Sequence, residues 1–381
     1  MKVFLSTADA SGDLHGAGLV RALRTQLAER GESLDLFGLG GEELCGLGLE
    51  PTVPSEQMAV AGLVEILSSA ARVIGGYRAL RAAVMERKPD VAVLVDSPDL
   101  NLPLAAVARR AGVPVVYYVA PQVWAWRSGR VRTLRRRANR VGVIFPFEQP
   151  LLEAGGVAAT FVGHPLVDHV EARRPTIDGV ALLRDLELDA DRPVLGLLPG
   201  SRRNEIARNL PLMVEVAELL CAQLPELQVA LIAAPALRPE IERAKLPKLV
   251  RVVSGRSIDA MSVSTVLLAA PGTATLEAAL LGVPIVVCHR VNRLSYEIAR
   301  RVTHVSATCM VNLIAEEGVV PEYIQDAARP PAIAGRIASL LADHQLRDEL
   351  AGKVRRAATR LGGPGASARM AQVVLEVVSK S

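Results

Sequence analysis

Two short loops in the second half of the chain carry the residue types that hold a diphosphate. In "LLAAPGTATLEAALLG" an apolar run ends at Ala270, Pro271 and Gly272 turn the chain, and Thr273 or Thr275 stands where a helix is capped. A helix N-terminus presents unpaired N–H groups and a partial positive charge, which suits a phosphate. Glu277, within the first turns, has the reach for a pair of ribose hydroxyls. The competing reading is a threonine-capped helix with a surface glutamate. "LLPGSRRNEI" has the same shape. Its run ends at Leu198, Pro199 and Gly200 turn, and Ser201 opens a helix with Arg202 and Arg203 beside it. A guanidinium suits a diphosphate, although solvated arginines on a capped helix fit the spacing too. Two such loops in one domain point to a nucleotide diphosphate more strongly than either alone.

The first half offers carboxylates instead. Asp96 closes the apolar run in "VAVLVDSPDLNLP", which puts it at the carboxyl end of a buried strand. A partly desolvated carboxylate there can act as a general base. It could also cap the next helix, but Asp99 fits that role better. "ADASGDLHGAG" places Asp9, Ser11, Gly12 and Asp13 in a loop after the first strand. That loop lacks the GxGxxG spacing, and its acidity argues against a dinucleotide pyrophosphate. Gly38, Gly40 and Gly41 in "FGLGGEEL" suit a backbone that comes close to something. "DAD" at Asp189–Asp191 precedes Pro193 and reads as a surface turn, not a metal motif. The six histidines show no metal-ligand spacing, so no metal is expected, and His164 with Asp168 reads as a loop-orienting pair.

These residues need elements that aim them. Short Val/Ile/Leu runs alternate with helical patterns from "KVFLST" to "RVGVIFPF", and a second series of the same kind starts at "RPVLGLLPGS". Continuous apolar strands suit parallel sheets covered on both faces. The fold class is therefore α/β, with two Rossmann-like doubly wound domains facing a cleft. Charge and proline rise around 165–190. The expected organisation is one Rossmann-like domain over 1–165, a second over 166–345 that carries both diphosphate loops, and a helical segment over 346–381.

Bulk properties narrow the class. The chain has 381 residues, half of them apolar, which is ample for two cores. Net charge is +4, and the positive charge is concentrated: seven arginines and no acidic residue lie between Arg127 and Arg140. A local phosphate-bearing partner suits this better than a nucleic-acid coat. The four cysteines are scattered, as expected of thiols in a reducing compartment. The first apolar run is too short for a secretory segment, and no stretch reaches the roughly 20 apolar residues of a spanning helix. A cytoplasmic protein is expected.

Taken in order, the segments "ASGDLHGAGL", "EQMAVAGLVEIL", "VDSPDLN", "YYVAPQVWAWR", "GHPLVD", "LLPGSR", "GTATLEA" and "VNLIAEEGVVPEYIQ" resemble the lipid-A-disaccharide synthases. The resemblance spans nearly the whole chain. It implies the GT-B fold and a metal-independent, inverting hexosyltransferase without cofactor. Its donor would be UDP-2,3-diacylglucosamine, its acceptor 2,3-diacylglucosamine 1-phosphate, and its products a β-1,6 disaccharide 1-phosphate and UDP. It marks Asp96 as the essential carboxylate and puts Gly200, Ser201, Arg202, Gly272, Thr273 and Glu277 on the donor side. Asp9, Ser11, Gly12, Asp13, Trp126 and Arg127 fall on the acceptor side. Asp9 stands where the family usually has Glu, Val311 where it has Pro, and Ala120 where Ser is common. "VWAWR" and "MAVAGLVEIL" argue against the rival UDP-sugar enzymes of this fold, an N-acetylglucosamine 2-epimerase and the peptidoglycan glucosaminyltransferase. A basic membrane or nucleic-acid adaptor would leave Asp96 and both phosphate loops unexplained. The family is often dimeric and works at the inner membrane, so a homodimer and peripheral attachment to the cytoplasmic face are implied.

Two further readings concern surfaces. The chain's two tryptophans, Trp124 and Trp126, precede the arginine run. Trp124 reads as core, and Trp126 as facing sugar or acyl chain. Between Met58 and Val84, Leu63, Val64 and Leu67 fall on one helical stripe, with Arg72, Arg78 and Arg81 further on. This is either an amphipathic helix packed on the sheet or a face that dips into the lipid interface.

Overall fold

The computed structural model describes residues 1–54, 65–124, 129–234, 237–244, 246–292, 296 and 307–380. The chain divides into two compact units. One is Met1–Asp168 together with Gly362–Ser381, and the other is His169–Leu361.

The first unit is built on seven strands: β1 (Lys2–Ser6), β2 (Asp35–Leu39), β3 (Glu50–Pro51), β4 (Val91–Val95), β5 (Val115–Tyr118), β6 (Arg140–Val143) and β7 (Ala159–Phe161). They run parallel in the order β3-β2-β1-β4-β5-β6-β7. Every residue of β4 and β5 is fully buried, because helices cover both faces. That is why these runs are continuously apolar rather than alternating. The helices that bear on function here are α1 (Ala10–Ala28), α2 (Glu42–Gly46), α3 (Glu65–Arg87), α4 (Pro98–Arg110), α5 (Arg130–Arg137) and α6 (Glu148–Ala154).

The second unit repeats the plan with β8 (Val194–Leu198), β9 (Gln228–Ala233), β10 (Val250–Ser254), β11 (Val266–Ala269), β12 (Ile285–His289) and β13 (Glu322–Ile324). These are also parallel, in the order β10-β9-β8-β11-β12-β13. Its relevant helices are α7 (Arg203–Gln223), α8 (Thr273–Leu281), α9 (Pro330–Ala342) and α10 (His344–Thr359).

The C-terminal helical stretch is shared between the units. Helix α10 packs on α8, whereas the last helix, α11 (Ala366–Ser379), packs on α1 and on the sheet at β4–β6. Asp168 fastens it: its carboxylate accepts from the N–H groups of Gly365 (2.5 Å) and Ser367 (3.3 Å). Arg369 adds bonds to the carbonyls of Val162, Gly363 and Pro364. Met370 lies so close to Gly142 of β6 that a Cβ there would stand 2.3 Å from its sulfur.

The glycine cluster after β2 serves the unit's own packing. Gly38 has φ +141°, and an added Cβ would meet the Leu5 carbonyl oxygen at 2.0 Å. Only glycine allows β2 that approach to β1. Of the stripe residues, Leu63 and Val64 lie outside the described residues, and so does the side chain of Leu67 on α3. Further along α3, Leu80 and Val84 are buried in the core, while Arg72, Ile74, Arg78, Arg81 and Met85 are exposed. No described helix is long and apolar enough to cross a membrane.

Candidate active site

The strand orders reverse between β1 and β4 in the first unit and between β8 and β11 in the second. At such a reversal the connecting helices depart to opposite faces and leave a crevice beyond the carboxyl ends of the strands. Asp9 and Asp96 follow β1 and β4. Gly200 and Gly272 follow β8 and β11. The residues singled out for chemistry therefore flank the two switch points.

Asp96 follows Val95 directly and has φ +47°, with Ser97 at +42° and Val119, after the neighbouring β5, at +61°. Left-handed backbone at non-glycine residues costs on the order of 1–3 kcal/mol each and persists only where surroundings over-determine it. Here the surroundings do. The Asp96 N–H donates to the Tyr118 carbonyl (2.9 Å). Its own carbonyl accepts from the Asn101 side-chain amide (2.9 Å) and the Tyr117 hydroxyl (2.5 Å). Fully buried Asn101 also accepts from Ser6 Oγ (2.8 Å) and donates to the Val95 carbonyl (2.9 Å), so one amide ties the ends of β1 and β4 together. The backbone is committed to the scaffold and the carboxylate is left for chemistry. Burial first, then the nearby Asp9 charge, pushes the Asp96 carboxyl up to about 6, against a smaller opposing hydrogen bond from Ser97.

Asp9 is the N-cap of α1. Its carboxylate accepts from the Gly12 N–H (2.7 Å), Ser11 Oγ (2.8 Å) and Ser97 Oγ (3.4 Å). The helix consequently starts at Ala10, so Ser11, Gly12 and Asp13 form its first turn rather than a loop. Asp13 is buried, and its oxygens accept from the N–H groups of Gly41 (2.7 Å) and Glu43 (3.0 Å) at the start of α2. His15 and His164 lie with ring centroids 6.3 Å apart, and burial lowers both. The Leu166 N–H donates to His164 Nδ1 (3.1 Å), which fixes that ring's acceptor.

Sequence reading missed Glu148. It is buried at the start of α6, accepting from the Trp124 indole N–H (3.2 Å) and the Phe145 N–H (3.1 Å). Trp124 packs edge-on against Phe147, which stacks on Phe145. Trp124 thus belongs to a half-buried aromatic cluster, whereas Trp126 and Arg127 lie outside the described residues.

In the second unit, a cavity of about 570 Å³ is lined by residues including Gly200, Ser201, Arg202, Gly272, Thr273 and Glu277. The residues expected on the donor side are gathered in it, with Ile232, Ala233 and Met261 as apolar wall. The two helix entrances differ. Helix α8 has Gly272 as N-cap with no side-chain cap, and Thr275 Oγ1 turns back onto the Gly272 carbonyl. Helix α7 starts at Arg203, two residues later than the sequence reading, and Glu205 occupies its entrance. The Glu205 carboxylate accepts from the N–H groups of Ser201 (2.9 Å) and Arg202 (3.3 Å). Gly200, at φ +117°, is needed for this, since a Cβ would stand 2.5 Å from Glu205 Oε2. The open α8 entrance is thus the stronger anion seat. The Arg202 side chain is 82 % exposed and bonds only Glu205 among the described residues. Glu277 has no hydrogen-bond partner among them, and burial alone raises its carboxyl to about 7.

Two parallel-sheet Rossmann-like units are the architecture of GT-B glycosyltransferases and related UDP-sugar enzymes. A putative UDP-N-acetylglucosamine 2-epimerase from Listeria monocytogenes superposes with TM-score 0.67 at 14% identity, covering 100% of this chain and 97% of that one. The S. aureus MnaA–UDP co-structure gives 0.66 at 14%, covering 99% and 98%. At that identity these show the fold. The family model described as lipid-A-disaccharide synthetase matches residues 3–377. The lipid-A-disaccharide synthase of Geobacter sulfurreducens is 41% identical over 100% of this chain and 98% of its own. The chain belongs to the lipid-A-disaccharide synthase family, and the enzyme is a hexosyltransferase.

Glu277 yields a stability test. A carboxyl raised by folding adds stability below the ordinary glutamate range, and that contribution is lost as pH rises through about 7. Glu277→Gln should therefore gain on the wild type between pH 5 and pH 8, by on the order of 2 kcal/mol after discounting partial exposure. Urea melts of both proteins at the two pH values measure it, and an equal gap at both would contradict a buried, strained carboxylate.

Proposed function

We propose that this enzyme transfers 2,3-diacylglucosamine from its UDP derivative to the 6-hydroxyl of 2,3-diacylglucosamine 1-phosphate, giving the β-1,6 disaccharide 1-phosphate and UDP. The observation that carries the mechanism is Asp96, a carboxylate at a switch point with its proton affinity raised to about 6. It is ionised at neutral pH, yet more basic than an ordinary aspartate, which suits a general base. Asp96 takes the acceptor hydroxyl's proton as the oxygen attacks the anomeric carbon, and direct displacement inverts that centre. Asp9, with Ser11 and Gly12, acts on the acceptor side, where the Asp9 charge also supports the basicity of Asp96. Asp13 supports the acceptor side by holding the start of α2. Trp126 and Arg127 meet the acceptor's sugar and phosphate.

The donor sits in the cavity of the second unit. The diphosphate takes the open α8 entrance at Gly272 and Thr273, with Ser201 and Arg202 alongside, where negative charge grows as UDP departs. The Glu277 carboxylate accepts from the ribose hydroxyls, which explains a carboxylate left without a partner among the described residues. The acylated substrates place the enzyme on the cytoplasmic face of the inner membrane. Leu63, Val64 and Leu67 enter the lipid interface, and exposed Arg72, Arg78 and Arg81 meet anionic headgroups. A homodimer is the assembly that the family resemblance implies.

Incubation with both diacylglucosamine substrates, followed by mass analysis, should give the tetraacyl disaccharide phosphate. Asp96→Asn should keep UDP affinity and lose on the order of 10² or more in turnover. Wild-type turnover should fall as pH drops through about 6, because the base is then protonated. A variant as fast as wild type excludes Asp96 as the base. Glu277→Ala should weaken UDP binding by roughly 1.5–3 kcal/mol in calorimetry, the worth of charge-assisted hydrogen bonds; unchanged affinity removes the ribose contact. In flotation assays, binding to anionic vesicles should weaken with salt, which screens over roughly 10 Å at 0.1 M. The triple change of Leu63, Val64 and Leu67 to Ser should abolish that binding and spare UDP affinity. A triple variant that still floats, or one that no longer folds, overturns the membrane assignment.

A further inference from the structure

We infer that Glu148 is a positioning residue for acceptor binding: its buried carboxylate clamps the loop from the end of β5 to Trp124 against the turn after β6, beside Asp96. The inference rests on the function proposed above and adds a residue to its acceptor side.

Glu148 is 3 % exposed and forms no ion pair among the described residues. A buried carboxylate without a cation is costly, so its acceptors have to do something that an apolar side chain could not. Its two oxygens go to two different segments. Oε1 takes the Trp124 indole N–H, in the loop after β5. Oε2 takes the Phe145 N–H, in the turn after β6. The near end of that loop is also forced. Val119 is a β-branched residue at φ +61°, with its N–H held by the Gly142 carbonyl at 3.0 Å. A strained start persists only if the rest of the loop is fixed, and the indole–carboxylate bond fixes it.

The loop springs from the strand that supports the base. Tyr118, the last residue of β5, accepts the Asp96 N–H, and Tyr117 donates to the Asp96 carbonyl. Movement of this loop therefore changes the wall next to Asp96, whereas the second unit's cavity is lined by that unit's own residues. Glu148 also senses the site. Burial, and to a smaller degree the Asp96 charge, raise its carboxyl to about 7, while the Phe145, Trp124 and Ile144 donors hold it down. His164, ring to ring with Phe145, is kept neutral by burial, and its neighbour His15 is lowered by burial with Asp9 opposing.

The test separates acceptor from donor. Glu148→Gln keeps the volume but turns an NH2 towards one of the two donors, which opens one side of the clamp. The acceptor KM should rise on the order of tenfold or more, the scale of a misplaced wall, with donor KM and UDP affinity within about twofold. A second readout needs no Glu148 variant. Wild-type tryptophan emission should titrate with a midpoint near pH 7, and that transition should vanish in Trp124→Phe. Glu148→Gln should abolish it as well. Equal increases in both KM values, an unchanged acceptor KM, or emission indifferent to pH would each overturn the inference. Failure to form any disaccharide would instead refute the proposed reaction, and leave the emission titration to judge the clamp.

Discussion

The structure depends on one topological constraint, the reversal of strand order next to the first strand of each sheet. Parallel strands force every connection to cross a face, and where the order reverses neighbouring connections take opposite faces. No helix can then close the crevice at the carboxyl edge. Both units inherit this gap, at β1/β4 and at β8/β11, and both fill its rim with residues whose backbones are unusually constrained. Asp96 and Ser97 can hold left-handed conformations because Asn101 and Tyr117 bond the backbone around them.

Desolvation then gives similar carboxylates different tasks. Asp96, Glu148 and Glu277 are all raised by burial, but their partners differ. Asp96 has its backbone bonded and a second carboxylate nearby, which suits the base proposed for the reaction. Glu277 has no partner among the described residues and faces a cavity, which suits hydroxyl groups that arrive with a ligand. Glu148 is bonded to the Trp124 indole and the Phe145 amide and holds two segments together. Asp9, Asp13 and Glu205 serve differently: their oxygens are taken up by backbone amides at helix starts.

Much of this was legible in the sequence because it is written locally. An apolar run followed by Asp96, or by a Pro–Gly turn, marks a strand's carboxyl end, and period and turn chemistry place two Rossmann-like units. The helix starts were less legible. Asp9 and Glu205 cap through contacts only a few residues away, yet "DASGD" reads equally as a loop and "GSRRNE" as a serine-capped helix. Glu148 was not legible at all, since its meaning comes from Trp124, 24 residues earlier on another strand's loop. Nor could spacing show that the last two helices serve different units. That depends on Asp168 reaching the amides of Gly365 and Ser367, almost two hundred residues on.

That last attachment bears on the order of synthesis. Helix α11 covers the sheet at β4–β6, with Met370 seated on Gly142, and it leaves the ribosome only after the second unit. The strands it covers emerge more than two hundred residues earlier. While the entire second unit is being made, the nascent first unit carries an apolar sheet face without its cover. Such a face invites chaperones or wrong partners until α11 has been made. Completion of the first unit is thereby tied to synthesis of the second, and a product stalled within the second unit would hold Asp96 on an unfinished scaffold.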